Sequence, residues 1–264
     1  MTFMVASGVM DLSAGSIVSL CGVLTALALH AGMGIAESCL IGIAAGGLMG
    51  GLNGVLIHCT GINFFVLTLA SSGMLRGVSL MITDGKPVTK FGKEFMQLGI
   101  GRIGELQLPV LFALALILIS FPLLFHTKLG NYIQALGGSE TALKRAGVRT
   151  GFYRIFVHVF LGITAAVTAI IITARLNSAE PNAGMNMEFD AVTAVIMGGT
   201  PIRGGTASIT GTVLAVLILG IIRNGLTLLS VSSDFQQWIT GFLLLASALI
   251  SEIKVWKFRT LIKS

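Results

Sequence analysis

Charge is scarce in this chain. Only 11% of its 264 residues are Asp, Glu, Lys or Arg, against about a quarter in a soluble globular domain, so a secreted or cytosolic enzyme is excluded. Cysteine is nearly absent as well: Cys21, Cys39 and Cys59 lie in apolar runs, are odd in number and lack the close spacing of a metal or redox motif. They read as small buried hydrophobes. His30, His58, His126 and His158 stand isolated, without the His/Glu or Cys/His spacing of a metal site or hydrolytic triad. No phosphate loop occurs, since Gly85-Lys86 and Gly92-Lys93 lack both the first glycine and the hydroxyl residue of Gly-x-x-x-x-Gly-Lys-Ser/Thr. The chain is therefore expected to bring no ATPase of its own. Gly99-Ile100-Gly101-Arg102-Ile103-Gly104 matches the dinucleotide fingerprint in letters, but the required acidic residue about 20 positions on would fall in an apolar run, so a loop turn is expected. No basic region precedes the opening Met1-Thr2-Phe3-Met4-Val5-Ala6, and no cleavable signal peptide is expected.

What is present is apolar: 54% hydrophobic residues, a mean hydropathy of +0.92 and 34 glycines. That composition fits closely packed transmembrane helices, where small residues let backbones approach. Apolar segments fall at about 1–12, 15–31, 35–59, 62–83, 107–125, 152–174, 190–200, 206–230 and 235–253, and one crossing requires about 20 residues. The expected fold is an all-α polytopic bundle of eight to nine membrane segments, one membrane-spanning domain over residues 1–264. The first segment reads as the second half of a helix whose beginning is missing, and the one near 190–200 as a short or broken helix flanked by glycines.

The formal net charge of +6 raises the question of nucleic acid, but the 17 Lys and Arg fall between apolar runs, where they set topology instead. The loop after the fifth segment holds Lys128, Lys144, Arg145, Arg149 and Arg154 against Glu140, and the tail holds Lys254, Lys257, Arg259 and Lys263 against Glu252. Both are assigned to the cytoplasm. The loop from Arg175 to Asp190 carries Glu180 and Glu188 in addition and is assigned outside, as is loop 84–106 by alternation. Residues around Arg203 then face inside.

Gly42, Gly46, Gly50 and Gly54 recur every fourth residue, with Gly47 and Gly51 alongside, which predicts a helix face open to close packing. Polar groups at bilayer depth are costly, so Asp11, Asn53, Asn63, Arg76 and Asn224 are candidates for a pathway or an interhelical contact. Two of them have simpler readings: Asp11 as a cap for the helix starting near Ser13, and Arg76, like Arg223, as a side chain snorkelling to an interface. Within the basic loop, Ser139 as N-cap, Glu140 at the positive end, Lys144 and Arg145 at the negative end and Gly147 as terminator predict a short helix. Such a helix serves either as a topology-setting loop or as a docking element for a cytoplasmic partner.

The residues resemble the permease subunit of bacterial ATP-binding-cassette sugar importers of the ribose, xylose and galactose class. The likeness covers essentially the whole chain. It is carried by Met10-Asp11-Leu12-Ser13-Ala14-Gly15-Ser16, Gly51-Leu52-Asn53-Gly54, Asn63-Phe64-Phe65-Val66-Leu67-Thr68-Leu69 with Arg76-Gly77, and Gly130-Asn131-Tyr132-Ile133. Ala135-Leu136-Gly137-Gly138 with Glu140 and Ala142, Ala174-Arg175-Leu176, Asp190-Ala191, Gly198-Gly199-Thr200 and Asn224-Gly225-Leu226 complete it. The resemblance implies a homodimer in the bacterial inner membrane with a cytoplasmic C-terminus, translocating a monosaccharide such as a ribose-like pentose by alternating access. It implies a nucleotide-binding ATPase subunit docked on the loop at about 127–153, through Gly137, Gly138, Glu140, Ala142, Arg145 and Gly147. It further implies a periplasmic sugar-binding protein, with ATP and magnesium bound by the partner and no cofactor in this chain. Asp11, Asn53, Phe64, Thr68 and Asn224 are the expected path or gate residues. The chain departs from the family pattern in its apparently absent first helix, at Ser139, at Pro201-Ile202-Arg203 and at Arg223. An ion-coupled carrier and a truncated, non-transporting remnant remain as alternative functions.

Overall fold

The computed structural model describes the backbone of residues 1–263 and the side chains of residues 1–251; the basic side chains of the tail, Lys254 to Lys263, lie outside those described. The chain is helical nearly throughout. In order the elements are α1 (Thr2–Ala6), α2 (Ala14–His30), α3 (Ile35–Thr60), α4 (Phe64–Thr83), β1 (Val88–Thr89), α5 (Lys93–Ile100), β2 (Arg102–Ile103), β3 (Leu106–Gln107) and α6 (Leu108–Phe125). There follow α7 (Lys128–Gly138), α8 (Glu140–Arg145), α9 (Thr150–Leu176), β4 (Ser178–Ala179), α10 (Met187–Met197), α11 (Ile209–Leu228) and α12 (Ser233–Lys263). Among the described residues α3, α4, α6, α9 and α11 are each long and apolar enough to cross a bilayer, and α2 is a shorter apolar helix. The fold is a helical polytopic membrane bundle.

Contacts divide the chain into two compact units: residues 1–10, 127–150 and 189–264 form one, and 11–126 with 151–188 form the other. In the second, α2 is buried along nearly its whole length. Its Ile17, Val18, Leu20 and Cys21 pack with Leu75 of α4 and with Ala165, Ala166 and Ala169 of α9. The glycine face of α3 does what its spacing predicts. A Cβ on Gly46 would meet the carbonyl of Gly162, one on Gly50 the carbonyl of His158, and one on Gly54 would lie 2.9 Å from Cα of Ile155. α3 and α9 thus touch backbone to backbone, a contact that any side chain on this face would prise apart.

Two loops assigned to the same outer side, one by its charge and one by alternation, are paired. Val88 and Thr89 form an antiparallel ladder with Ala179 and Ser178, and Asn177 Oδ1 accepts from the Phe91 N–H at 3.0 Å. Beyond β4 the chain does not re-enter as a helix. Ser19 Oγ donates to the Pro181 carbonyl, and Gly184 lies against Gly15 of α2, so residues 181–186 run back beside α2 in non-helical form. Such backbone is tolerated at membrane depth where protein buries it. This explains why α10 is only 11 residues long.

Some expectations are corrected. The opening segment is not one helix over 1–12: α1 stops at Ala6, because Ser7 Oγ donates to the Met4 carbonyl at 2.7 Å and Gly8 turns the chain at φ +78°. The glycine-rich 99–104 stretch closes α5 and opens the β2–β3 hairpin, with Gly104 at φ +62° in its turn. Arg223, whose side chain is half exposed, also has a partner: its Nη2 is 2.8 Å from Asp190 Oδ1. Asn63 is a helix cap, its Oδ1 accepting from the Phe65 N–H at 2.9 Å.

Candidate functional site

Two constellations collect the sequence candidates, one in each unit. The first is a polar cluster where α2 begins. Asp11 sits in the turn before α2 and is fully buried, while Asn53 of α3 and Thr68 of α4 are 3% and 0% exposed. Asp11 Oδ1 accepts from both the backbone N–H, at 2.7 Å, and the hydroxyl of Ser13. Asp11 stands three residues ahead of the first helical residue, Ala14, and holds the N-cap residue Ser13 without being the N-cap itself. Asn53 Nδ2 donates to Ser13 Oγ at 2.9 Å, and Thr68 Oγ1 accepts from the Leu12 N–H at 3.2 Å while donating to the Phe64 carbonyl at 2.8 Å. Four candidates therefore meet: Asp11, Asn53 and Thr68 through side chains, and Phe64 through its main chain.

His158 of α9 lies against Gly54, next in the chain to Asn53, and nothing in the residues marks it beyond a single imidazole in an apolar run. It is fully buried and packs against Gly54, whose added Cβ would lie 3.2 Å from its own. Its Nδ1 lies 2.7 Å from the Arg154 carbonyl. A carbonyl only accepts, so Nδ1 carries the proton and Nε2 of the neutral ring is an acceptor. That Nε2 and Asp11 Oδ2 are buried without a hydrogen-bond partner. Two open acceptors in one dry cluster make it sensitive to any donor that reaches them. Asn224 does not belong here: it lies on α11 in the other unit, and its side chain is exposed.

The second constellation is the short helix of the basic loop, which forms as its residues predict. Ser139 Oγ accepts from the Ala142 N–H at 3.2 Å, and Gly147 ends the turn at φ +76°, with Val148 N donating to the Leu143 carbonyl at 3.1 Å. Lys144 Nζ pairs with Glu140 Oε1 at 3.0 Å, and Thr150 Oγ1 donates to the same carboxylate oxygen at 3.3 Å. Leu143 is the one buried side chain of α8; Ala142, Lys144, Arg145 and Gly147 are exposed and Glu140 is half-buried. Gly137 and Gly138 close α7, a helix inside the stretch 127–153 expected as a loop. Among the described residues no group of three His, Cys, Asp or Glu side chains is placed to hold a metal.

The chain is similar in sequence to known transport proteins. The family described as the permease component of the branched-chain amino acid transport system matches residues 1–248. The ribose import permease protein of Escherichia coli (strain K12) is 37% identical over 262 residues, 96% of this chain and 80% of that protein. The ribose import permease protein of Bacillus subtilis (strain 168) is 35% identical over 256 residues, 96% of this chain and 80% of that protein. The L-arabinose transport system permease protein of Escherichia coli (strain K12) is 34% identical over 264 residues, covering 98% of this chain and 79% of that protein. No solved structure matches. With most of both lengths aligned and the residues of the likeness distributed from Asp11 to Asn224, the chain belongs to this permease-component family, beside the sugar-importer permeases.

Proposed function

We propose that the chain is the translocating subunit of an ATP-driven importer that carries a monosaccharide, a ribose-like pentose or a related sugar, across the bacterial inner membrane by alternating access. Two copies form the path. A separate ATPase binds ATP and magnesium, docks on α8 and drives the cycle, and a periplasmic protein delivers the sugar. The observation that carries this reading is α8 itself: six residues, stopped at both ends by its own sequence, presenting Lys144 and Arg145 outward with only Leu143 rooted in the bundle. A helix this short is marginal alone, so its double capping and ion pair maintain a shape for something outside the chain. The Asp11–Ser13–Asn53–Thr68 cluster lies where α2 and α4 begin and α3 nears its end, all on the side the charge count assigns to the cytoplasm, and serves as the inner gate.

The test is affinity purification of the tagged chain from its native gene cluster. A P-loop ATPase should co-purify and be lost in the Glu140→Lys, Arg145→Glu double variant, with membrane insertion intact. A chain that purifies alone overturns the reading. Uptake that persists without any ATPase and collapses with the proton gradient replaces it with an ion-coupled carrier.

A further inference from the structure

The turn between α10 and α11 carries a cation, Arg203, in a run otherwise made of small residues. It does not hang loose. The Gly204 N–H donates to the Pro201 carbonyl and the Gly205 N–H to the Ala6 carbonyl, each at 2.9 Å. Gly137, at the end of α7, has no room for a side chain: a Cβ there would meet the Ala6 carbonyl, lie 2.6 Å from the Gly205 nitrogen and 3.0 Å from Cα of Gly204. A Cβ on Gly8 would lie 3.3 Å from Cα of Gly137 and 3.4 Å from the Arg203 carbonyl. Three backbone segments, 6–8, 137–138 and 203–205, are therefore in direct contact, all within one unit. Gly204 and Gly205 adopt φ +75° and +91°, a backbone that other residues reach only with strain. The next residue after Gly138 is Ser139, the N-cap of α8. The turn is thus fixed against the base of α8, and Arg203 at its tip is exposed like Lys144, Arg145 and Arg149.

We infer that the turn Pro201–Gly205 is a second docking contact for the ATPase subunit, in which Arg203 and Arg145 together engage an acidic face of that one partner. The inference rests on α8 being the coupling helix and extends it. One contact leaves a docked helix free to rotate, whereas two contacts held at a fixed separation define its direction. An anionic lipid surface is diffuse and gains nothing from that rigidity, while a folded partner with matched acidic groups does. No side chain intervenes at this junction, so no rotamer change can loosen it.

The experiment places a photo-activated benzoylphenylalanine at position 203, at 145 or at 102, the last in the loop assigned outside, in the full chain co-expressed with its ATPase. Cross-links to the ATPase are expected from 203 and 145 and not from 102. A cross-link from 145 alone overturns the second contact and leaves α8 as the coupling helix; none from either position overturns both. In reconstituted complex, Arg203→Glu should lower sugar-stimulated ATP hydrolysis at least tenfold and Arg203→Lys should restore most of it. Unchanged hydrolysis in Arg203→Glu overturns the inference.

Discussion

The two units solve one problem, fixing helix ends, by opposite means. Around α2 the fastening is made of side chains: Asp11 holds Ser13, Ser13 receives Asn53, and Thr68 receives Leu12. Around α7 it is made of backbone, with Gly8, Gly137, Gly204 and Gly205 in contact and nothing interposed. Side-chain fastenings can exchange partners, and this one keeps an open acceptor on Asp11 Oδ2 and another on His158 Nε2. A backbone contact between glycines has no side chain that could exchange partners. The first is suited to a joint that opens and closes, the second to one that transmits.

The largest expected effect tests the second half of that contrast. Gly137→Val forces a branched side chain into backbone atoms, where overpacking costs about 1–3 kcal/mol or more. Sugar uptake should be lost and the melting temperature of the purified protein should fall; a wild-type melting curve would show that the junction yields. The charge-reversed pair Glu140→Lys, Arg145→Glu comes next, abolishing sugar-stimulated ATP hydrolysis while the melting temperature stays near wild type, which separates transmission from folding. For the side-chain joint, Asp11→Ala removes the acceptor for the Ser13 N–H and should destabilise by about 1–3 kcal/mol, the cost of a buried donor left unpaired. Asp11→Asn retains an acceptor at Oδ1 and should stay within about 1 kcal/mol of wild type while uptake changes; equal losses in the two variants would reduce the cluster to a structural cap. Lys144→Ala removes an exposed i,i+4 pair worth about 0.3–0.5 kcal/mol, and differential scanning fluorimetry should record a small shift with uptake retained.

Much of this was legible in the residues. The apolar run 35–59 became Ile35–Thr60 and 107–125 became Leu108–Phe125, because a bilayer span must be continuous and its polar flanks mark it. Ser139 and Gly147 specified α8 because helix ends are local chemistry. Asp11 and Asn53 stood out because polar groups are rare in such runs, whereas Thr68 entered only through the family resemblance. What the sequence concealed is long-range. A glycine that admits another backbone, such as Gly137, is written the same way as one that merely loosens a turn. His158 became notable only once Gly54 was seen to make room for it, and the two-residue pairing of β1 with β4 is too short to leave any alternation.

The run of turns beside α2 has a mechanical meaning. A helix can slide along a neighbouring helix with all its internal hydrogen bonds intact, trading one ridge for the next. Residues 181–186 offer α2 no such ridge, since Pro181 is held by Ser19 and Gly184 is seated on Gly15. They act as a detent: α2 can tilt about that seat, but axial travel must first pull the bolt.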